Sequence, residues 1–233
     1  MVKDRKTADS ADNAKSASGP RVTIKPLNLE RVQIPIIGIT QYVQNAFSEK
    51  AAAKIRATQA AGKAAGSKKN REPKDFDECY RGSQHISAQG WHGQPASGWR
   101  AGCISACRAA GFVMTKAKLG LSIIEDGYDV ASGDGLVKIT KGQPHMDVRP
   151  VRNDDGSCDM RARAMWNPGW ELVLTVEYDA DIFTCDDVVN LVERAGLQVN
   201  MGEGRNDSPN SCGQGWGRCR VDRSKKVTMI TMK

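Results

Sequence analysis

No apolar run in this sequence approaches the ~18–20 residues that a membrane-spanning helix needs, so neither a helical membrane protein nor a membrane partner is expected. The opening stretch, MVKDRKTADSADNAKSASGP, contains no apolar h-region and does not read as a secretory signal. Cys-x2-Cys pairs are absent, and the seven cysteines are odd in number and irregularly spaced. That pattern argues against a disulfide framework and for reduced thiols in a cytoplasm. Histidine is equally scarce: His85, His92 and His145 are the whole supply, which narrows the options for general acid–base chemistry near neutral pH. Cys79, His85, His92, Cys103 and Cys107 are the residues that could be asked to hold zinc. A Cys-x3-Cys step on a helix more simply marks one buried face, so no metal and no cofactor are expected.

What the chain does have is basic charge, and it is unevenly placed. Between Lys50 and Lys74 eight basic residues stand against Glu72 alone, which accounts for the whole net charge of +7. Asp75, Asp77 and Glu78 then end the run. A solvated loop carries such charge without penalty, and so does a segment that contacts a polyanion and releases its counterions. Charge alone leaves both readings open.

Residues 1–20 are polar and read as a disordered arm, followed by one domain over 21–233. That domain carries a basic linker insertion at 57–78 and an inserted region at 79–134. VQIPIIGIT (32–40) is the first strand, with Pro35 expected at a bulge or an edge because it lacks a ladder donor. Val43, Phe47, Ala51 and Ile55 recur every fourth residue and suggest a helical stripe. A second helix is expected from about Ser97 to Lys118, with Trp99, Cys103, Cys107 and Ala110 on one side. GLVKIT (135–140) and DMRARAMW (159–166) read as strands, the latter in an exposed basic hairpin. WELVLTVEYD (170–179) alternates Leu172, Leu174, Val176 and Tyr178 on one face. Thr184 with Asp187 three residues on marks a helix start, Val188, Leu191, Val192 and Ala195 its apolar stripe, and Gly196 its expected stop. GRCRV (217–221) reads as the last strand. In order, these elements suit an α+β fold, a ferredoxin-like (βαββαβ) antiparallel sheet with helices on one face and inserted loops.

Between that helix and the final strand lies GEGRNDSPNSCGQGWGR (202–218), with five glycines. No Gly-Lys-Ser/Thr follows, so it is not a P-loop, and it precedes a strand where a dinucleotide fingerprint would open a helix. A backbone stripped of side chains lets a planar or charged ligand reach main-chain N–H groups, although a flexible surface turn needs glycine as well.

The capped helix, the G-x-G-spacer-G-x-G-x-G-R stretch and the closing strand together resemble the glycine-rich loop of the RAMP superfamily. These are ferredoxin-like, RRM-like RNA-binding proteins of CRISPR effector complexes. GQPASGWRAGCISACRAAG (93–111) resembles a second segment of that superfamily, matching at Pro95, Ser97, Arg100 and Gly102. The layout is also similar to solitary bacteriophage proteins of this fold. The resemblance spans roughly residues 30–222 and implies a binder of single-stranded RNA or DNA in a host bacterial cytoplasm, several copies lining up as a homo-oligomer. It implies that Gly202, Gly204, Gly213, Gly215 and Gly217 bring main chain against a nucleic-acid backbone. Arg205 and Arg218 would then contact phosphates, and Trp216 would stack on a base or else plug a sheet edge. Arg100 and Arg108 would line the same groove, with Lys63, Lys68, Lys69 and Arg71 in a basic flap over the strand. Alternatives implied by the same resemblance are a protein that engages a host CRISPR or replication protein, and a ribonuclease centred on histidine. No recognisable motif pairs the histidines with a lysine or tyrosine, so a non-catalytic role is expected.

Overall fold

The computed structural model describes residues 24–46, 73–152, 156–208 and 213–231, with scattered helical positions between 53 and 60. The expected arm at 1–20 lies outside the described residues, as do Lys63, Lys68, Lys69 and Arg71. The architecture is mixed α/β, two antiparallel sheets and four helices among the described residues.

Strand β1 (Leu29–Gly38) is the spine of the larger sheet. Its Val32, Ile34 and Ile36 are buried on one face, the alternation expected of a strand covered on one side. Along one edge it pairs with β9 (Glu171–Asp179), register running unbroken from Leu29↔Asp179 to Ile37↔Glu171. Along the other edge lie two short strands end to end, β10 (Cys219–Val221) and β11 (Thr228–Ile230). Pro35 is therefore neither bulged nor at an outer edge. It falls in the gap between β10 and β11, where its missing N–H costs no ladder bond, and its carbonyl accepts from Asp222 N at 2.8 Å.

The far edge of β9 is shared by β4 (Leu121–Ile124) and β6 (Gly135–Lys141). β6 pairs in turn with β3 (Gly93–Pro95), which ends the sheet, and with the two-residue β5 (Gly127–Tyr128). All neighbouring strands are antiparallel. Helix α1 (Phe76–Gly82) opens on an Asp75 side-chain cap. α2 (Ala96–Ala110) and α4 (Cys185–Arg194) lie on the apolar face, burying Trp99, Cys103, Ile104, Cys107, Val188, Leu191 and Val192 over β1 and β9. The expected Ser97–Lys118 helix is in fact two: Gly111 turns left-handed at φ 69°, and α3 (Met114–Gly120) starts afresh.

The smaller sheet is β2 (Tyr42–Gln44), β8 (Cys158–Trp166) and β7 (Pro144–Arg152), in the order β2-β8-β7. Val43 thus lies in a strand instead of opening a helix. Tyr42 is clamped between Trp166 and Trp170, ring centroids 5.5 and 5.4 Å away, and that burial holds Val43 in the strand; Phe47, Ala51 and Ile55 of the expected stripe lie outside the described residues. The Thr184–Asp187 capping box of α4 is present as expected. Gly196, however, does not stop the helix, which continues as a π-turn over Ala195–Val199. A methyl group at Gly196 would stand 2.5 Å from the Cys219 carbonyl oxygen, so this glycine serves close contact with β10.

Candidate nucleic-acid interface

The glycine-rich stretch is folded down onto the protein. All five of its glycines adopt left-handed backbone, φ between 70° and 78°. At Gly217 a methyl group would lie 1.7 Å from the Met201 carbonyl oxygen, and at Gly202 it would lie 2.5 Å from that of Val43. Main chain here crosses main chain, which only glycine allows. Hydrogen bonds stitch the crossing: Met201 N donates to Gly217 O (3.1 Å), Glu203 N to Val43 O (3.0 Å) and Gly217 N to Gln41 O (2.6 Å). Thr40 Oγ1 donates to Gly215 O at 2.9 Å and accepts from Arg218 N at 3.0 Å. Gly213 sits beside Asn206, and the Gly204 backbone lies under the Trp216 ring. Of the spacer between the two glycine clusters, residues 209–212 lie outside the described residues.

Between this loop, β2 and the first turn of α2 opens a cleft of about 430 Å³. Tyr42, Gln44, Gln94, Trp99, Asn200 and Arg205 are among its lining residues. The N-terminus of α2 carries no side-chain cap, and Pro95 and Gly98 at that end face the cleft. No atom outside the helix's own backbone and Gly98's chain neighbours stands nearer than 4.0 Å to where a Gly98 methyl would be, so this side of the first turn is uncrowded. Arg205 lies at the mouth, exposed, with Nη1 donating weakly to Gly202 O at 3.4 Å.

The other expected contact residues are distributed differently. Arg218 is exposed beyond the loop. Arg108 is held by Asp207, its Nη2 2.7 and 2.8 Å from the two carboxylate oxygens, which ties α2 to the loop. Arg100 donates to the carbonyls of Leu121 (3.0 Å) and Lys118, closing the end of α3. Trp216 is half-buried against two guanidinium groups, Arg149 at 5.2 Å and Arg163 at 5.4 Å from its ring centroid. Those cation–π contacts come from the basic hairpin β7–β8, whose Arg163 is buried rather than exposed. Arg163 donates to Glu203 Oε1 at 2.6 Å, so the hairpin also grips the loop.

His85 is the one histidine that lines the cleft. Its Nδ1 lies 2.7 Å from Asp129 Oδ2, while Asp129 Oδ1 accepts from the N–H groups of Ala131 and Ser132. The carboxylate accepts, so Nδ1 carries the proton and fixes the tautomer. His92 packs edge-on to Trp166, and burial lowers its pKa. Cys103 and Cys107 point into the core, where burial pushes the Cys103 thiol up to about 12. Among the described residues no group of three or more His, Cys, Asp or Glu side chains is placed to hold a metal ion. Nor is any helix there long and apolar enough to cross a membrane.

No family model and no curated protein matches this sequence. Among solved structures the chain is similar to one in "Cryo-EM structure of the Type III-B Cmr-beta bound to cognate target RNA", at 10% sequence identity and a TM-score of 0.49. The match covers 88% of this chain and 61% of that one, so this chain spans less than two thirds of its length. At that level of likeness neither a family nor the RNA transfers to this chain.

Sequence reading missed Gln44, Gln94, Asn200, Glu203 and Asp207. Single polar residues inside apolar patterns carry no periodic signal, and only their convergence in space gives them meaning.

Proposed function

We propose that this protein binds single-stranded nucleic acid without cleaving it, through a ferredoxin-like βαββαβ core of the RAMP type. The observation that carries the reading is the cleft itself, where an uncapped helix N-terminus, a glycine-built loop and Arg205 converge. A backbone phosphate suits such a place, because helix N–H groups and an arginine both favour negative charge. The core order supports the fold assignment: β10/β11, β1, β9 and then β4/β6 across the sheet, with α2 and α4 as the two crossovers. On the open face of that sheet's central strands Glu177 is engaged by Arg31 and Glu171 by Lys141 and Lys225, ion pairs where an RRM presents aromatic rings.

Titration of labelled single-stranded RNA and DNA at several salt concentrations tests the reading. The logarithm of the affinity falls linearly with log salt, and Arg205→Ala lowers that slope by about one. Arg223→Ala removes a charge paired with Glu193 on α4 and leaves the slope intact. Absence of binding below roughly tens of micromolar at low salt overturns the proposal. Copurification with a stoichiometric host protein and no nucleic acid would favour the protein-partner alternative instead. Sedimentation of the complex tests assembly of several copies along one strand.

One observation favours a second reading. The His85–Asp129 pair in the cleft has the form of a base held by an orienting carboxylate, which a ribonuclease could use on a 2′-hydroxyl. Labelled RNA cut by the wild type and left intact by His85→Ala would establish it; RNA intact after long incubation rules it out.

A further inference from the structure

Asn200 combines three costs in one residue. Its backbone sits at φ 69°, ψ 169°, a region essentially reserved for glycine. The residue is 1% exposed, and neither Oδ1 nor Nδ2 has a hydrogen-bond partner. Glycine would remove the strain and both orphaned atoms, so nothing in folding calls for asparagine here.

A second amide with the same deficit lines the same cleft. Gln94 is 1% exposed and its Oε1 accepts from Trp99 Nε1 at 2.9 Å. An indole N–H can only donate, so this contact fixes the amide's orientation. The Gln94 amino group then has no partner. Beside the cleft therefore lie two unsatisfied amino donors and one unsatisfied carbonyl acceptor, on walls that include Tyr42, Val43, Trp99 and Met201.

We infer that this cleft takes a single unstacked pyrimidine base and reads its Watson–Crick edge with Asn200 and Gln94. The count decides between bases. Uracil and thymine offer two carbonyl acceptors and one N–H donor along that edge; cytosine offers two acceptors, N3 and O2, and one amino donor. Each complements two donors and one acceptor. Guanine offers the reverse, two donors and one acceptor, and adenine has only one of each. The amide atoms lie just under the cleft surface in the free protein, so a base reaches them as the 200–207 segment shifts. That segment is a closed loop, with Asp207 N donating to Val199 O at 3.3 Å. The flanking phosphate then falls toward Arg205 and the start of α2.

This inference rests on the nucleic-acid reading above, and the experiment separates their failures. Fluorescence anisotropy with short oligo-U, oligo-C and oligo-A RNA is measured on the wild type and on Asn200→Gly, alongside thermal unfolding. The wild type should bind U and C about tenfold more tightly than A. Asn200→Gly should bind all three like oligo-A while melting about 4 °C higher. A Gln94→Met variant that keeps its fold should also lose the preference. If the wild type binds none of the oligomers, the nucleic-acid reading falls. If it binds all three alike, or if Asn200→Gly keeps the preference, only the pyrimidine pocket falls. A drop in melting temperature with Asn200→Gly also overturns it, since the side chain would then be structural.

Discussion

Arg163 and Glu203 join the basic hairpin to the glycine-rich loop across 2.6 Å, with 3% of the arginine side chain and 23% of the glutamate side chain exposed. A guanidinium so far from water depends on its carboxylate. Asp147, 3.6 Å away on the neighbouring strand, is already engaged by Arg149 at 2.6 Å.

Replacing the carboxylate separates stability from binding. Glu203→Gln should destabilise the fold by about 2 kcal/mol, read by urea unfolding, because buried Arg163 then faces a neutral amide and keeps only the more distant Asp147 carboxylate. The same change removes a negative charge from the cleft wall and should tighten single-strand binding at low salt. Loss of stability without any gain in binding would show that nucleic acid does not approach this wall.

Two glycines of one loop should behave differently on gaining the same methyl group. Gly215→Ala meets no atom within 4 Å and bears only left-handed strain, about 1 kcal/mol. At Gly217 the methyl would meet the Met201 carbonyl at 1.7 Å, so the crossing must open. Gly217→Ala should cost about 3 kcal/mol or more and release the loop from β2, seen as lost amide protection at Gly217 and Met201. Equal losses for the two variants would contradict the crossing.

Acid should act through the cap of α4. One hydrogen bond from the Thr184 hydroxyl and one from its backbone N–H hold the Asp187 carboxyl below its ordinary pKa. A carboxyl depressed by folding contributes stability that is complete above its unfolded pKa, near 3.8, and is lost as pH falls through the lower folded value. Thr184→Ala should therefore cost about 1 kcal/mol at pH 7 and progressively less below pH ~4. A cost independent of pH would mean that the hydroxyl works through the backbone alone.

How much the sequence tells depends on how local each cause is. β9 is legible because Leu172, Leu174, Val176 and Tyr178 alternate, and the start of α4 because Thr184 and Asp187 bond to each other. Tyr42–Gln44 is not legible. Gln44 is buried in a strand where its amide donates to Gly93 O at 2.6 Å and accepts from His85 N, partners more than forty residues away. Pro35 misleads for a related reason: a central strand tolerates it because its neighbour is interrupted, and that interruption lies near the other end of the chain. The loop glycines are visible as a cluster, yet their tightest contacts are with the backbone of Val43 and Met201. Asn200 and Gln94 look like ordinary polar residues until burial and missing partners are known.

The larger sheet closes at one margin with β3, three residues of which the last is Pro95, and at the other with two three-residue strands separated by a turn. Neither margin offers a foreign strand a long run of open ladder, and Pro95 has no N–H to give. Copies of this protein aligned on one nucleic-acid strand would therefore not be fused through the larger sheet. Any joint between copies would have to use other surfaces, which leaves this sheet's hydrogen-bonded ladder complete within one molecule.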